Sequence, residues 1–477
     1  MAGARTLPSE SGITALSASE AVGLLRSGEL TAERYAAALI ARCRERADIN
    51  AFIHFDEARV LDAARAADRR LAGDAPGALH GLPLVIKDNI DTAGTPTTAG
   101  TPALRSNLPG ASAPVAGALF RAGAILLGKT NMHELADGIT NNNGAFGAVR
   151  NPYAPAMIPG GSSGGTAAAV AARLCAAGLG TDTGGSVRIP AALCGVVGLR
   201  PSSGRYPGAG IVPISHTRDT AGPIARTVAD VALLDAVIVG DARPLRAPPL
   251  RGLRIGIPRD PFFADLDPEL AAVIAGALAR LREAGCILVP ADMPELAGLS
   301  AAAGAISYYE QSRDLDAYLE AAGSPLRTRD VAMQIASPDV AAIFESDVLG
   351  SAAITLAAYR EAMEHHRPRL QAAYDAHFRE QRLAAIALPT TVLPARPIGE
   401  DRDVELNGRR VPTFATYLRN TRIMTIAGIP GLSLPAGLTA AGLPVGIEFD
   451  AAAGGDRALL GIGLAVESVL GRLPPPP

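Results

Sequence analysis

Tryptophan is absent from this chain of 477 residues, and aromatic residues together make up only 4% of it. A core must therefore be packed from aliphatic side chains, for which the 48% of hydrophobic residues is ample. An excess of one charge is missing too. The 44 Lys and Arg stand against 47 Asp and Glu, a formal net charge of −3, with both signs spread along the chain. That balance excludes the basic footprint of a nucleic-acid binder or of a protein drawn to an anionic membrane. No run of 18 apolar residues occurs, since even the alanine-rich stretch after Gly165 is interrupted by Arg173. Cysteine is sparse: Cys43, Cys175, Cys194 and Cys286 lie far apart and form no CxxC pair. Free buried thiols in a reducing compartment are expected, not a disulfide framework or a metal site. The opening MAGARTLPSESG lacks the apolar stretch of a secretory signal, so a cytoplasmic protein is expected.

What the chain does have is glycine, concentrated between Pro159 and Pro201: PGGSSGGTAAAVAARLCAAGLGTDTGGSVRIPAALCGVVGLRP. Two serine sites there are framed by glycine, Gly160-Gly161-Ser162-Ser163-Gly164-Gly165 and Thr183-Gly184-Gly185-Ser186. Glycine costs chain entropy, so framing serines with it implies that the backbone itself has a task. Two such sites so close together point to one catalytic centre made from two loops.

Around this stretch, helix and strand signals alternate. Ser17 with Glu20 forms a capping box, Gly28 closes the first helix, and Thr31 opens a second that runs towards residue 45. A third helix fits Glu57 to Leu71, closed by Gly73, and the run from Gly81 to Ile86 reads as a strand ending at Lys87. The alanine-rich segment Thr166–Ala177 reads as a helix stopped by Gly178, and Pro190 as part of the first turn of another. Strand, helix and strand follow over residues 253–292, a mostly helical stretch over 300–382, and strands near 384–388, 432–435 and 445–449. The pattern predicts an α/β protein: a single large domain, residues 1–477, with a central mixed sheet covered by helices on both faces. The catalytic core is expected over about 60–230, with the helical subregion 300–382 near the substrate entrance.

Three chemistries compete for the glycine–serine loops. A phosphate loop needs GxxxxGK[ST], and no lysine stands where it would be required. Gly161–Gly165 satisfies GxSxG around Ser163, but a nucleophile elbow must follow a buried strand, and prolines at 155 and 159 argue against one. The third chemistry activates a serine with a neutral lysine, directly or through a second serine. Lys87, at the end of an apolar strand, is placed for it. His133-Glu134 lacks the second histidine of a zinc motif and is read as structural. His216 is read as a rim or structural residue, and His365-His366 as solvated. Tyr308 and Tyr309 are candidates for an entrance wall or a helical core. No cofactor and no metal are expected.

The segments GLPLVIKDNIDTAGTPTTAGT, GKTNMHEL, FGAVRNPY, PGGSSGG, GTDTGGSVRIPAALCGVVGLRPS, DTAGPIARTVAD and GLPVGIEF resemble the amidase signature family over most of residues 15–470. The resemblance implies a nucleophile at Ser186, a bridging serine on a cis peptide at Ser162, and a lysine at Lys87. It matches the backbone N–H groups of Thr183, Gly184, Gly185 and Ser186 to an oxyanion hole. It implies an acyl-enzyme on Ser186, formed while Ser162 relays its proton to Lys87. An ordinary lysine is neutral only about once in 2500 molecules at pH 7, a deficit of roughly 4.6 kcal/mol. Burial of Lys87 would remove most of that.

Asp182 and Arg188 are expected to pair behind the loop, while Ser163, Gly161 and Asn142 are candidates for supporting or substrate contacts. The text after the nucleophile is more like stand-alone indoleacetamide and mandelamide hydrolases than like the A subunit of the glutaminyl-tRNA amidotransferase. A small aryl or arylalkyl amide is the expected substrate. Aryl carbamates, anilides and esters are chemical alternatives, and a non-catalytic scaffold is the remaining one. No partner beyond the small-molecule amide or carbamate is expected, and the chain should act as a monomer or homodimer.

Overall fold

A computed structural model describes residues 10–71 and 76–477. Its centre is a sheet of eleven strands. In spatial order these are Phe52–His54, Ile125–Thr130, Pro83–Lys87, Ala177–Asp182, Thr220–Ala225, Val197–Arg200, Gly431–Leu438, Pro444–Asp450, Ala385–Pro389, Arg254–Ile257 and Ile287–Pro290. Pairing is parallel around Pro83–Lys87 and at the far end around Arg254–Ile257, and antiparallel through the middle.

Helices cover both faces, as the alternation of side chains along Gly431–Leu438 and its partner shows. Gly446 lies against Ala192 of the helix Arg188–Leu193, whereas Leu432, of the opposite parity, meets Gly463 of the helix Asp456–Leu470. The main apolar cluster follows the sheet from Leu39 to Leu470. A second seats Leu370, Tyr374 and Phe378 of the helix Arg367–Glu380 on Ile386 and Leu388, which anchors the helical region to the sheet.

Local signals account for much of this. Ser17 and Glu20 form the reciprocal cap of Ala18–Ser27, Gly28 closes it in the left-handed conformation, and Thr31 caps Ala32–Glu45. The helix Glu57–Leu71 is present, while its expected stop at Gly73 lies outside the described residues. The alanine-rich segment departs from expectation. Its helix spans only Gly164–Ala171, and Ala177–Asp182, including Gly178, is a central strand. Arg173, at φ 61°, turns the chain between them. Position 178 faces Val85 so closely that a Cβ there would lie 2.4 Å from its methyl. The glycine marks tight strand packing, which overrides the helical propensity of alanine.

Candidate active site

Parallel neighbours end at the same edge of a sheet, and there Pro83–Lys87 and Ala177–Asp182 deliver their last residues side by side. Lys87, the last residue of the first, is fully buried. Its Nζ lies 2.7 Å from Ser162 Oγ and donates to Thr181 Oγ1 at 2.8 Å. Asn89 Nδ2 donates to the same threonine oxygen at 3.1 Å. Among the described residues no carboxylate lies within ion-pair distance of this amine. Burial pushes its pKa down to about 7, against the weaker pull of Asp182 and Asp219.

Ser162 follows a cis peptide bond from Gly161 and stands two residues before the helix Gly164–Ala171. Gly161 is pressed against Ile139, whose carbonyl carbon would be 3.1 Å from a Cβ there. Ser163 does not reach the cleft. Its hydroxyl donates to Thr181 O and accepts from Thr181 N, both at 3.2 Å, which locks the start of that helix onto the strand.

Ser186 lies on the loop that follows the strand, 7% exposed, and lines a cleft. Its Oγ carries no hydrogen bond to another described residue, and it is not bonded to Ser162 Oγ. The two serine loops are joined through the main chain, with Ser163 N donating to Ser186 O at 3.1 Å. The N–H groups of Thr183, Gly184, Gly185 and Ser186 likewise donate to no other described residue. Backbone donors in a folded chain are rarely left unspent, so four in a row beside a cleft can receive an oxyanion. Thr183 and Gly184 line that cleft with Ser186.

Behind the loop, Asp182 and Arg188 pair through two bonds of 3.0 Å, with both side chains fully buried. Asp182 Oδ2 also accepts from Val187 N at 3.1 Å. Burial alone would raise its pKa, but the Arg188 and Arg200 guanidiniums hold it near 2. Arg188 continues to Glu448 on the strand Pro444–Asp450.

Asn142 is not brought to the cleft: its Nδ2 donates to Asp401 at 2.7 Å. The adjacent Asn141 comes to the serine loop instead, its Oδ1 accepting from Gly164 N at 3.0 Å. His133 pairs with Asp339 at 3.0 Å, while Glu134 accepts the N–H groups of Ala336 and Ser337, which are structural roles. His216 is exposed and bonded to Asp314, and Tyr309 stacks on Tyr359 with ring centres 4.2 Å apart, whereas Tyr308 lines the cleft.

Several residues passed over in the sequence are in place here. Thr181 orients the lysine. Asp219 accepts from Thr183 Oγ1 at 2.5 Å and from Ile214 N at 2.7 Å, bracing the loop from its other side. Arg218 and Asp137 line the cleft, and burial shifts both towards neutrality, the arginine down to about 9 and the aspartate up to about 6. Apolar walls come from Ile139, Ile214, Phe414 and Leu418. The signal for Thr181 was the GTDTGG text itself, and for Arg218 and Asp219 the HTRDTAGP run.

A family model described as amidase matches residues 34–460. The chain belongs to the amidase family. As an amidase it is a hydrolase of carbon–nitrogen bonds other than peptide bonds. This amidase is 49% identical over 433 residues to indoleacetamide hydrolase from Agrobacterium vitis, which covers 91% of this chain and 92% of that one. It is 41% identical over 479 aligned positions to mandelamide hydrolase from Pseudomonas putida, with 97% and 92% covered. A crystal structure of an amidase superimposes with a TM-score of 0.86 at 34% identity, over 96% of this chain and all of that one. Among the described residues no helix is long and apolar enough to cross a membrane.

Proposed function

We propose that this amidase converts a small aryl or arylalkyl amide to a carboxylic acid and ammonia or an amine through an acyl-enzyme on Ser186. The observation that carries the reading is the 2.7 Å contact between Ser162 Oγ and a buried lysine amine whose pKa lies near 7. Burial thus brings the amine into the range where a neutral fraction is available near pH 7, as a general base requires. Because Thr181 takes one N–H of Lys87, the nitrogen lone pair is left for the hydroxyl of Ser162.

In the proposed cycle Ser186 Oγ attacks the acyl carbon. Its proton passes to Ser162 while the Ser162 proton passes to Lys87. The carbonyl oxygen, now negative, is received by the N–H groups of the loop Thr183, Gly184, Gly185 and Ser186. The same relay in reverse protonates the departing nitrogen, and water attacking the acyl carbon repeats the cycle to release the acid. Each oxyanion donor is worth about 3–4 kcal/mol in such sites. Serine-to-serine hydrogen bonds of this kind commonly tighten only when substrate is seated. The aryl preference is supported by the apolar walls and by the indoleacetamide and mandelamide hydrolases among the relatives.

The test is a panel of arylacetamides, anilides, aryl esters and aryl carbamates given to the purified single chain, with acid and amine release both measured. Arylacetamide turnover without a partner, lost in Ser186→Ala, is expected. Ammonia release only with an added partner subunit would replace the reading with an amidotransferase. Turnover retained by Ser186→Ala would remove the mechanism.

A further inference from the structure

A peptide unit is planar and trans at nearly every bond, so its C=O and N–H point in opposite directions. Whatever holds a carbonyl therefore aims the N–H of the next residue. Along the nucleophile loop the carbonyls of Asp182, Gly184 and Gly185 are each held by a donor. Arg200 Nη1 donates to Asp182 O, which sets the N–H of Thr183, and Ile189 N donates to Gly185 O at 2.8 Å, which sets the N–H of Ser186. Both donors sit close by in the chain, on the next strand and in the helix that the loop enters.

Gly184 O is held from elsewhere. Thr421 Oγ1 lies 2.7 Å from it and 3.4 Å from Leu418 O, and the single hydroxyl proton goes to the nearer acceptor. Thr421 is fully buried, and its own carbonyl accepts from Arg188 Nη2 at 3.1 Å, so it cannot drift. Gly185 packs directly on it: a Cβ at that position would lie 2.2 Å from the hydroxyl oxygen. Thr421 also stands between Leu418 and Arg422, both of which line the cleft.

We infer that Thr421 is a positioning residue that aims the Gly185 N–H at the oxyanion and ties that aim to the wall on which the acyl group packs. The inference rests on the reading of Ser186 as the nucleophile. Removing the hydroxyl frees the Gly184–Gly185 peptide to rotate, so a donor is lost in the transition state while ground-state contacts stay. An acyl group that seats poorly on Leu418 disturbs the same short segment, which converts poor fit into lost rate and not only into weak binding.

The experiment compares Thr421→Val, which removes the donor at nearly constant shape, with Thr421→Ser, which keeps it. Kinetics on an arylacetamide and affinity for an aryl boronic acid, a mimic of the tetrahedral adduct, are both measured. Thr421→Val is expected to lower kcat about 100-fold with KM within about threefold, as for a misplaced catalytic group. Boronate affinity should fall in parallel with kcat/KM, affinity for the product acid should hold, and Thr421→Ser should restore most of the rate. Thr421→Ala serves the same comparison if the valine variant melts early. Native kcat in Thr421→Val, or a serine variant as impaired as the valine one, overturns the proposal. Ser186→Ala is run beside them: if it stays active, the nucleophile reading falls, whereas an inactive Ser186→Ala with a fully active Thr421→Val sinks the Thr421 proposal alone.

Discussion

Lys87 and Lys129 sit on adjacent parallel strands, and both are completely buried, yet they are built for opposite ends. Lys129 Nζ lies 3.3 Å from Asp88 Oδ1 and donates to Thr97 Oγ1 at 2.9 Å and Pro96 O at 3.1 Å. Among the described residues, Lys87 Nζ bonds only to the hydroxyls of Ser162 and Thr181. Burial lowers the pKa of both amines, but at Lys129 a touching carboxylate opposes it, whereas at Lys87 the nearest opposition comes through space from Asp182 and Asp219. Burial without a counter-ion favours a neutral amine; burial with one favours an ion pair. Sequence distance does not separate the two roles, because Asp88 follows Lys87 directly and turns away from it.

Three changes would break or sharpen this contrast. The largest effect belongs to Lys87→Ala, for which kcat/KM should fall about 10³-fold or more, since the loss of a general base alone removes about 10²–10⁴. The protein should stay folded, and Lys87→Met should melt higher than the native chain. A variant with near-native turnover at pH 7 would leave Lys87 without a catalytic role.

Next in size is Lys129→Met. Leaving Asp88 buried without its partner should cost about 3–5 kcal/mol in denaturant unfolding, while the folded fraction turns over within a few-fold of native. Adding Asp88→Asn should recover much of the loss. A stable but inactive Lys129→Met would erase the distinction between the two lysines.

The smallest effect is read from pH. Native kcat/KM should rise about tenfold per unit below pH 7 and level off above it, and a profile flat from pH 6 to 10 would contradict this. Stability follows the same proton. The folded chain releases it near pH 7 and the unfolded chain near the ordinary 10.5, so between these values the unfolded state binds more protons. The contribution of Lys87 to stability therefore rises with pH across that window and is least favourable below it. Lys87→Met should flatten that rise, and Lys129→Met should leave the kinetic midpoint in place.

The sequence made legible what local chemistry writes locally. Caps at Ser17 and Thr31 name their helices, and the glycines around Ser162 and Ser186 mark the two loops that the structure brings together. Lys87 and Ser162, separated by 75 positions, lie in contact. The helix expected over Thr166–Ala177 ends early because alanine favours helix in isolation, whereas here the chain turns at Arg173 to enter the central strand at Ala177. Asn142 was the wrong neighbour, because composition cannot say which of three consecutive asparagines faces inward. Thr421 was out of reach altogether: it touches the loop across 237 positions, and no local pattern announces such a meeting.

The side-to-side alternation of the strand Pro83–Lys87 carries a last consequence. Inserting or deleting one residue within it would swing the amine of position 87 to the far side of the sheet, towards the threonine and carbonyl that bind its neighbour. Reactivity here is stored as odd against even.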